Sequence, residues 1–333
     1  MSLLPLLSSL VLAGSSSPSA LVDDGMWTFD NPPLEKFQKD YGFKPDKDWF
    51  DRVRLACVRF PGGSGSFVSA DGLVMTNHHV GLDSIQKLST KEKDLVKNGF
   101  YAPTREAELK PPDLELRVLE STEDVTKRVQ AAVKEGASPK EANDQRKAEM
   151  ARIEKEEKEK TGLECTVVNL YQGGLFHLYR YKVHSDVRLV FAPEQQVAFY
   201  GGDPDNFTYP RYDLDCSFFR VYEDGKPYRP KSWFRWSAAG PKEGELVFVS
   251  GNPGSTGRLM TLAQIEYDRD VFLPKSLKYN HGKRAALKAY SAKGEQEERQ
   301  AKDDLFSVEN SIKAMSGYLG GLEDPKIMAR KKA

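Results

Sequence analysis

The chain has 333 residues, with 49 basic and 49 acidic side chains and no formal net charge. That balance excludes a global pull toward nucleic acid or an acidic membrane surface. The length admits two domains, and 39% apolar beside 29% charged residues is the composition of a folded globular protein, not a disordered one.

Residues 3–14 form a short apolar run, and small residues follow as far as Ala20. This is the apolar region and cleavage zone of a secretory signal, although no basic residue precedes it. Residues 1–22 are therefore expected to be a signal peptide, and the protein to be secreted or periplasmic. No later stretch is long and apolar enough for a membrane helix, so no membrane partner is expected. Trp27 and Phe29 are the expected anchors of the mature N-terminus. Residues 34–41 and 46–54 read as short amphipathic helices, 56–60 as a strand and 61–65 as a turn. The glycines of that turn fit neither the dinucleotide nor the P-loop spacing, and no lysine follows them.

The next stretch is the most informative. Phe67-Val68-Ser69-Ala70, Asp71-Gly72 and Leu73-Val74-Met75-Thr76 read as a hairpin with a tight Asp-Gly turn. Asn77-His78-His79-Val80 comes directly after the second strand. A histidine at the end of a core strand is rigidly held and opens onto the surface, as a general base must. A lone histidine is more often a structural group, and the flanking pattern is what singles out this pair. The segment resembles that around the catalytic histidine of chymotrypsin-like peptidases. In that register His79 is the base and His78 its neighbour.

Residues 81–88 look helical, 99–103 form a loop, and 114–119 a strand. Ser121 reads as the N-cap of a helix with Glu123 and Asp124 in its first turn. Ser138-Pro139 opens a second helical run to residue 160. Its apolar stripe is sparse and its charges alternate in sign, so a solvated surface helix is expected, without nucleic acid. Strands return at 165–170, 176–183, 186–191, 216–222 and 246–249, and many short strands between turns argue for a barrel or sandwich. From Thr261 onward the pattern is helical, at 263–270, 283–293 and 296–318. The shift near Arg258 sets the domain boundary. Cys57, Cys165 and Cys216 form no metal pattern, and their spacing allows one disulfide without selecting the pair.

Residues 199–220 pack turn-forming Gly, Pro, Asn and Asp around aromatics and lead into an apolar strand opened by Asp215. A carboxylate there can hold a histidine in one tautomer and stabilise its imidazolium. Each Asp taken singly is more often a turn former, but the chain order His then Asp is that of chymotrypsin. Asp203, Asp205, Asp213 and Asp215 also offer hard oxygen ligands. Their spacing is not that of a calcium loop and no bidentate Glu closes it, so no metal is expected, nor any other cofactor.

Three blocks together resemble the bacterial serine dipeptidyl-peptidases of family forty-six. They are His78-His79 after Gly72-Leu73-Val74-Met75-Thr76-Asn77, the Gly201-to-Arg211 block, and Val247-Phe248-Val249-Ser250-Gly251-Asn252-Pro253-Gly254. Residues 25–33 look like the start of the mature protein in that family, and the likeness covers nearly the whole chain from Asp24. The resemblance implies a mixed β and α fold: a chymotrypsin-like β-barrel over 23–258, with a helical excursion at 121–160. The start of an inserted helical domain would follow over 259–333, the second barrel being incomplete. It implies an enzyme that releases dipeptides from free peptide N-termini, and dimeric contacts in the full-length protein. Carried over residue by residue, His79 matches the general base and Asp215 the triad acid. Asn206 matches an anchor of the substrate α-amine, and Phe207 stands where the family often has Trp. Asn310 matches a second amine-binding Asn from the helical domain.

Two departures from the family pattern stand out. Gly63 (or Ser64) and Val80 occupy the places of a frequent cysteine pair. The family's nucleophile also lies far downstream, in a Gly-Asn-Ser-Gly-Ser type motif that this chain lacks. Ser255 sits in a Pro-Gly turn, not in a Gly-x-Ser-x-Gly elbow, and is a poor substitute. The chain stops at Ala333 on an uncapped basic run and is expected to be an inactive fragment by itself. The alternative reading is a non-catalytic module that binds free peptide N-termini.

Overall fold

The computed structural model describes residues 26–90, 92–254, 257 and 260–332. The expected signal segment, Ser255 and the boundary at Arg258 lie outside them. Among the described residues, ten strands form one antiparallel sheet. They are β1 (Cys57–Phe60), β2 (Gly63–Phe67), β3 (Leu73–Thr76), β4 (Phe100–Tyr101), β5 (Leu116–Asp124), β6 (Glu164–Leu170), β7 (Leu175–His184), β8 (Asp186–Ala192), β9 (Ser217–Glu223) and β10 (Lys226–Pro227). The order across the sheet is β4-β8-β9-β3-β2-β1-β5-β7-β6, with β10 on β9. Alternate residues such as Val187 and Leu189, or Phe219 and Val221, point to one face and are fully buried. With Phe67, Val74, Leu116 and Ile85 they form the main core.

Helices α1 (Leu34–Tyr41) and α2 (Lys47–Ala56) precede the sheet, and Asp46 caps α2 through Trp49 N. Helix α3 (His78–Leu88) and the single turn α4 (Leu95–Asn98) follow β3. Helices α5 (Thr126–Ala131) and α6 (Pro139–Thr161) lie between β5 and β6, and the single turns α7 (Gln195–Ala198) and α8 (Gly202–Asp205) follow β8. Ser138 and Glu141 close a reciprocal capping box at the start of α6, as the Ser-Pro signal suggests. The helix is not merely a solvated rod. Ile153 is buried with Val129, Val167, Phe176 and Leu178 in a second, smaller core.

Several local expectations give way to tertiary pairing. Ser121 is no helix cap: β5 runs on to Asp124, pairing Ser121 with Arg180 of β7. The Asp124 carboxylate instead accepts the Thr126 N–H at the start of α5 (2.8 Å). The Asp71-Gly72 turn is not a two-residue one. Val68 N donates to Leu73 O, and Ser69 Oγ accepts from Leu73 N at 3.1 Å, so the loop is residues 69–72. Residues 246–249 form no strand. Their backbone has no ladder partner among the described residues, Val249 is fully exposed, and Phe248 packs on Phe37, Phe43 and Trp49.

The helical part is more continuous than its sequence pattern suggests. Helix α9 (Leu262–Tyr267) passes through a π-helical turn, Asp268–Phe272, into α10 (Leu273–Ser291). Pro274 has no N–H to bond the preceding turn, and the wider turn sits directly before it. Helix α11 (Glu295–Glu323) folds back on α10, with Glu309 paired to Arg284 and Lys288, and α12 (Pro325–Lys332) follows.

At the N-terminus a polar tie stands beside the two expected aromatic anchors. Trp27 is 46% exposed and Phe29 is partly buried, and Asp30 pairs with the buried strand residue His177 (2.7 Å). Asn31 donates to the Tyr171 hydroxyl. All three cysteines are free. A Cβ on Gly63 would lie 2.6 Å from Val80 Cγ2. The two positions where the family often carries cysteines are thus neighbours here, the valine filling the space that glycine leaves.

His184 gives the fold a pH dependence. Its Nε2 is buried without a partner, and burial, reinforced by Lys182, pushes its pKa down to about 4. The unfolded chain binds this proton near pH 6.5, so between those values the unfolded state holds more protons. Stability from this group is complete above about pH 6.5 and is lost as pH falls toward 4, by about 3 kcal/mol. The expected result is that His184→Leu flattens the fall in urea midpoint between pH 7 and pH 4.5. An unchanged slope would show that His184 is not the titrating group.

Candidate active site

β3 pairs with β9 so that Thr76 lies opposite Ser217. The residues that leave β3 therefore meet those that enter β9, although they are more than 130 positions apart in sequence. β3 ends at Thr76, so the histidines do not end a strand as the sequence suggests. They form the first turn of α3, with Asn77 at the N-cap position. Gly81 lets that helix close on β9, since a Cβ there would lie 2.8 Å from Ser217 Oγ and 3.0 Å from the Phe219 ring.

Asp215 completes this junction. Its Oδ2 lies 2.6 Å from His79 Nδ1, and its Oδ1 accepts the His79 backbone N–H at 3.0 Å. Asn77 makes no cap of its own but donates Nδ2 to Oδ2 and to the main-chain carbonyl of Asp215. The carboxylate thus serves as N-cap and counter-charge for a helix from another part of the chain. Burial raises the Asp215 pKa, but the bonds from the His79 ring and backbone, the His79 charge and Asn77 outweigh it. The carboxyl is held below its ordinary value. An ionised carboxylate can only accept, so His79 Nδ1 carries a proton toward it, and in the neutral form of the ring Nε2 presents its lone pair. The His79 side chain is 52% exposed, which leaves Nε2 open to a reactant.

His78, in contrast, is buried, and burial holds its pKa below the ordinary histidine value. Its Nε2 has no hydrogen-bond partner. That shift favours the neutral form of the ring beside His79.

A cleft of about 160 Å³ opens beside His79 and Asp215, and Asn206 and Asn310 line it too. Asn206 Nδ2 donates to Asn310 Oδ1 at 3.1 Å, joining the loop after α8 to helix α11 across 104 positions. The apolar wall is not where sequence reading puts it. Phe207 is 65% exposed, has a left-handed φ of 58°, and does not line the cleft. Phe199 and Phe306 supply the wall, edge to face at 5.2 Å. Arg211 lies over the Phe199 ring, is 2.9 Å from the Asp213 carboxylate and donates to Asn206 Oδ1 at 3.1 Å.

Sequence reading missed Phe199, Arg211, Phe306 and Lys313 as parts of this site. Phe306, Asn310 and Lys313 recur at helical spacing, so one face of α11 could have been marked as facing a partner. The acidic residues of the 203–215 stretch disperse: Asp213 goes to Arg211 and Asp215 to His79. Among the described residues no cluster of three or more His, Cys, Asp or Glu could hold a metal ion, and no helix is long and apolar enough to cross a membrane.

Known proteins resemble this chain in sequence and in fold. Dipeptidyl-peptidase 7 of Porphyromonas endodontalis is 36% identical over 290 residues, covering 78% of this chain and 34% of that protein. An Asp/Glu-specific dipeptidyl-peptidase of Porphyromonas gingivalis is 33% identical over 288 residues, covering 79% of this chain and 39% of that protein. The crystal structure of Porphyromonas endodontalis DPP11 with the dipeptide Arg-Glu superposes with a TM-score of 0.78 at 26% identity. That match covers 93% of this chain and 48% of the other. The chain thus spans between a third and two-fifths of these curated relatives. The family model described as Peptidase S46 matches residues 22–333, and with these relatives it shows that the chain belongs to the peptidase S46 family.

Proposed function

We propose that this chain carries the base, the orienting acid and the amine cradle of a serine dipeptidyl-peptidase. The observation behind this reading is that the His79–Asp215 pair and the Asn206–Asn310 pair line the same cleft. His79 takes the proton of a serine hydroxyl, and Asp215 fixes its tautomer and stabilises the imidazolium. Each Asn side-chain oxygen keeps a second lone pair for the α-ammonium of a peptide. Phe207, exposed beside Asn206, offers a surface for a substrate side chain. An amine held at a fixed point measures off two residues, about 7 Å of extended chain, before the bond to be cut.

In this reading the sheet is the first barrel of a chymotrypsin-like pair, and the helices from Leu262 begin an inserted helical domain. The nucleophile is a serine outside the described residues. Residues 1–22 export the protein to the periplasm or beyond, and the full-length enzyme dimerises.

Two peptides, one with a free N-terminus and its N-acetylated twin, test the proposal. The serine-bearing enzyme should release a dipeptide only from the first, and His79→Ala should abolish release. The 333-residue chain alone should bind the free peptide without turnover. Equal cleavage of the acetylated twin sinks the amine cradle. Turnover by the isolated chain that survives His79→Ala sinks the assignment of the base.

A further inference from the structure

Asn206 is gripped by two cations that the proton-transfer chemistry does not use. Lys313 of α11 donates its Nζ to the main-chain carbonyls of both Pro204 and Asn206, each at 2.7 Å. It pins the backbone directly before Phe207, whose left-handed φ a bulky side chain does not adopt without support. With the main chain held, the freedom left to Asn206 is the rotation of its side chain. A half-turn of that amide exchanges oxygen for nitrogen at almost no steric change.

Arg211 removes that freedom. Its guanidinium has donors and no acceptor, so the amide atom that faces it must be Oδ1. Nδ2 is then directed at Asn310, and the atom of Asn310 that meets it must be an acceptor, again Oδ1. The hydrogen bonds therefore run one way, from Arg211 to Asn206 to Asn310. Arg211 is itself placed by the Phe199 ring, 5.1 Å from its guanidinium carbon, and by its ion pair with Asp213.

We propose that Arg211 is a positioning residue that sets the polarity of the Asn206–Asn310 pair, so that the cleft prefers a protonated amine to an acylated nitrogen. This rests on the amine-cradle reading above. Two amide oxygens with spare lone pairs suit an ammonium group, which has only donors. They repel the carbonyl oxygen of an acyl group. If Asn206 is free to flip, it also presents an N–H to the cleft, and an acyl carbonyl is then accepted.

Titration calorimetry with the dipeptide amide Ala-Phe-NH2 and its N-acetyl derivative tests this on the chain as it stands. The wild type is expected to favour the free amine. Arg211→Met should reduce that preference about tenfold or more, the scale of one lost charge-assisted hydrogen bond. Arg211→Lys, which can also only donate, should keep most of it. A merely structural role would weaken both ligands together and leave their ratio unchanged. Should Arg211→Met fail to fold, Arg211→Lys and Arg211→Gln carry the test. Glutamine presents either atom to Asn206, so the preference should fall in that variant and persist with lysine. A wild type that binds both ligands equally overturns the amine cradle itself. A preference retained in Arg211→Met, or equal in the Lys and Gln variants, overturns the polarity proposal while leaving the cradle intact.

Discussion

Asp215→Asn is expected to lower turnover by about 10⁴-fold in the serine-bearing enzyme while leaving the fold in place. The carboxylate does two separable jobs. Its Oδ1 receives the His79 backbone N–H and caps α3, and its Oδ2 receives the imidazole Nδ1–H. An asparagine keeps an oxygen for the cap but turns an N–H toward Nδ1. The ring must then accept at Nδ1 and carry its proton on Nε2, where it cannot take one from a hydroxyl. The change is one of tautomer, and it is visible without any turnover. The imidazole nitrogen shifts of His79 in the isolated chain should show Nδ1 protonated in the wild type and Nε2 protonated in the variant. Asp215→Ala should additionally lose the cap, at about 1 kcal/mol of stability. A rate within tenfold of wild type, or an unchanged tautomer, would remove Asp215 from its role.

Arg220→Met should destabilise the chain by about 3–5 kcal/mol, because it leaves a buried carboxylate with too few partners. The Glu108 side chain is 3% exposed. One oxygen accepts from Arg220 Nε at 2.9 Å and the other from the Tyr222 hydroxyl at 2.8 Å. Arg220 also reaches the carbonyl and carboxylate of Asp71, and Arg105 closes on the same carboxylate. This network ties the loop of the β2–β3 hairpin to β9, the strand whose entrance holds Asp215. Removing the arginine strands the charge of Glu108. Removing both charges with Glu108→Leu and Arg220→Met should recover most of the loss, since an apolar pair needs no compensation there. Urea unfolding of the two single variants and the double variant measures the coupling. A single Arg220→Met that costs under 1 kcal/mol, or a double variant no better than the single, would show that the charge is solvated or paired elsewhere.

Much of the fold was legible along the chain, and so were His79, Asp215, Asn206 and Asn310 among the residues that line the cleft. The short strands around His79 and before Asp215, the capping box of α6 and the helical C-terminal part all follow from local patterns that the structure keeps. Such signals survive because they are decided by neighbouring residues, through capping, turn chemistry and side-chain alternation. His79, Asp215 and Asn206 could likewise be named, because they sit in dense blocks that resemble a known family, whereas Asn310 was named from the resemblance alone.

What the chain alone could not decide are the contacts between blocks. Ser121 carries a sound cap signal, yet β7 supplies a ladder for its backbone and the strand runs on. Residues 246–249 carry a sound strand signal, yet no neighbouring strand among the described residues receives them, and they stay unpaired. Backbone hydrogen bonds in a sheet need a partner strand, and no local pattern reports whether one arrives. The wall of the cleft came from Phe199 and Phe306 in place of Phe207, because a left-handed backbone turns Phe207 outward. The sequence by itself singled out the groups proposed as base, acid and amine acceptor. Only the tertiary structure decided that Asp215 caps the helix bearing His79, and that Arg211 orients the amide of Asn206. Those are questions of distance and direction, and they are settled where distant segments pack.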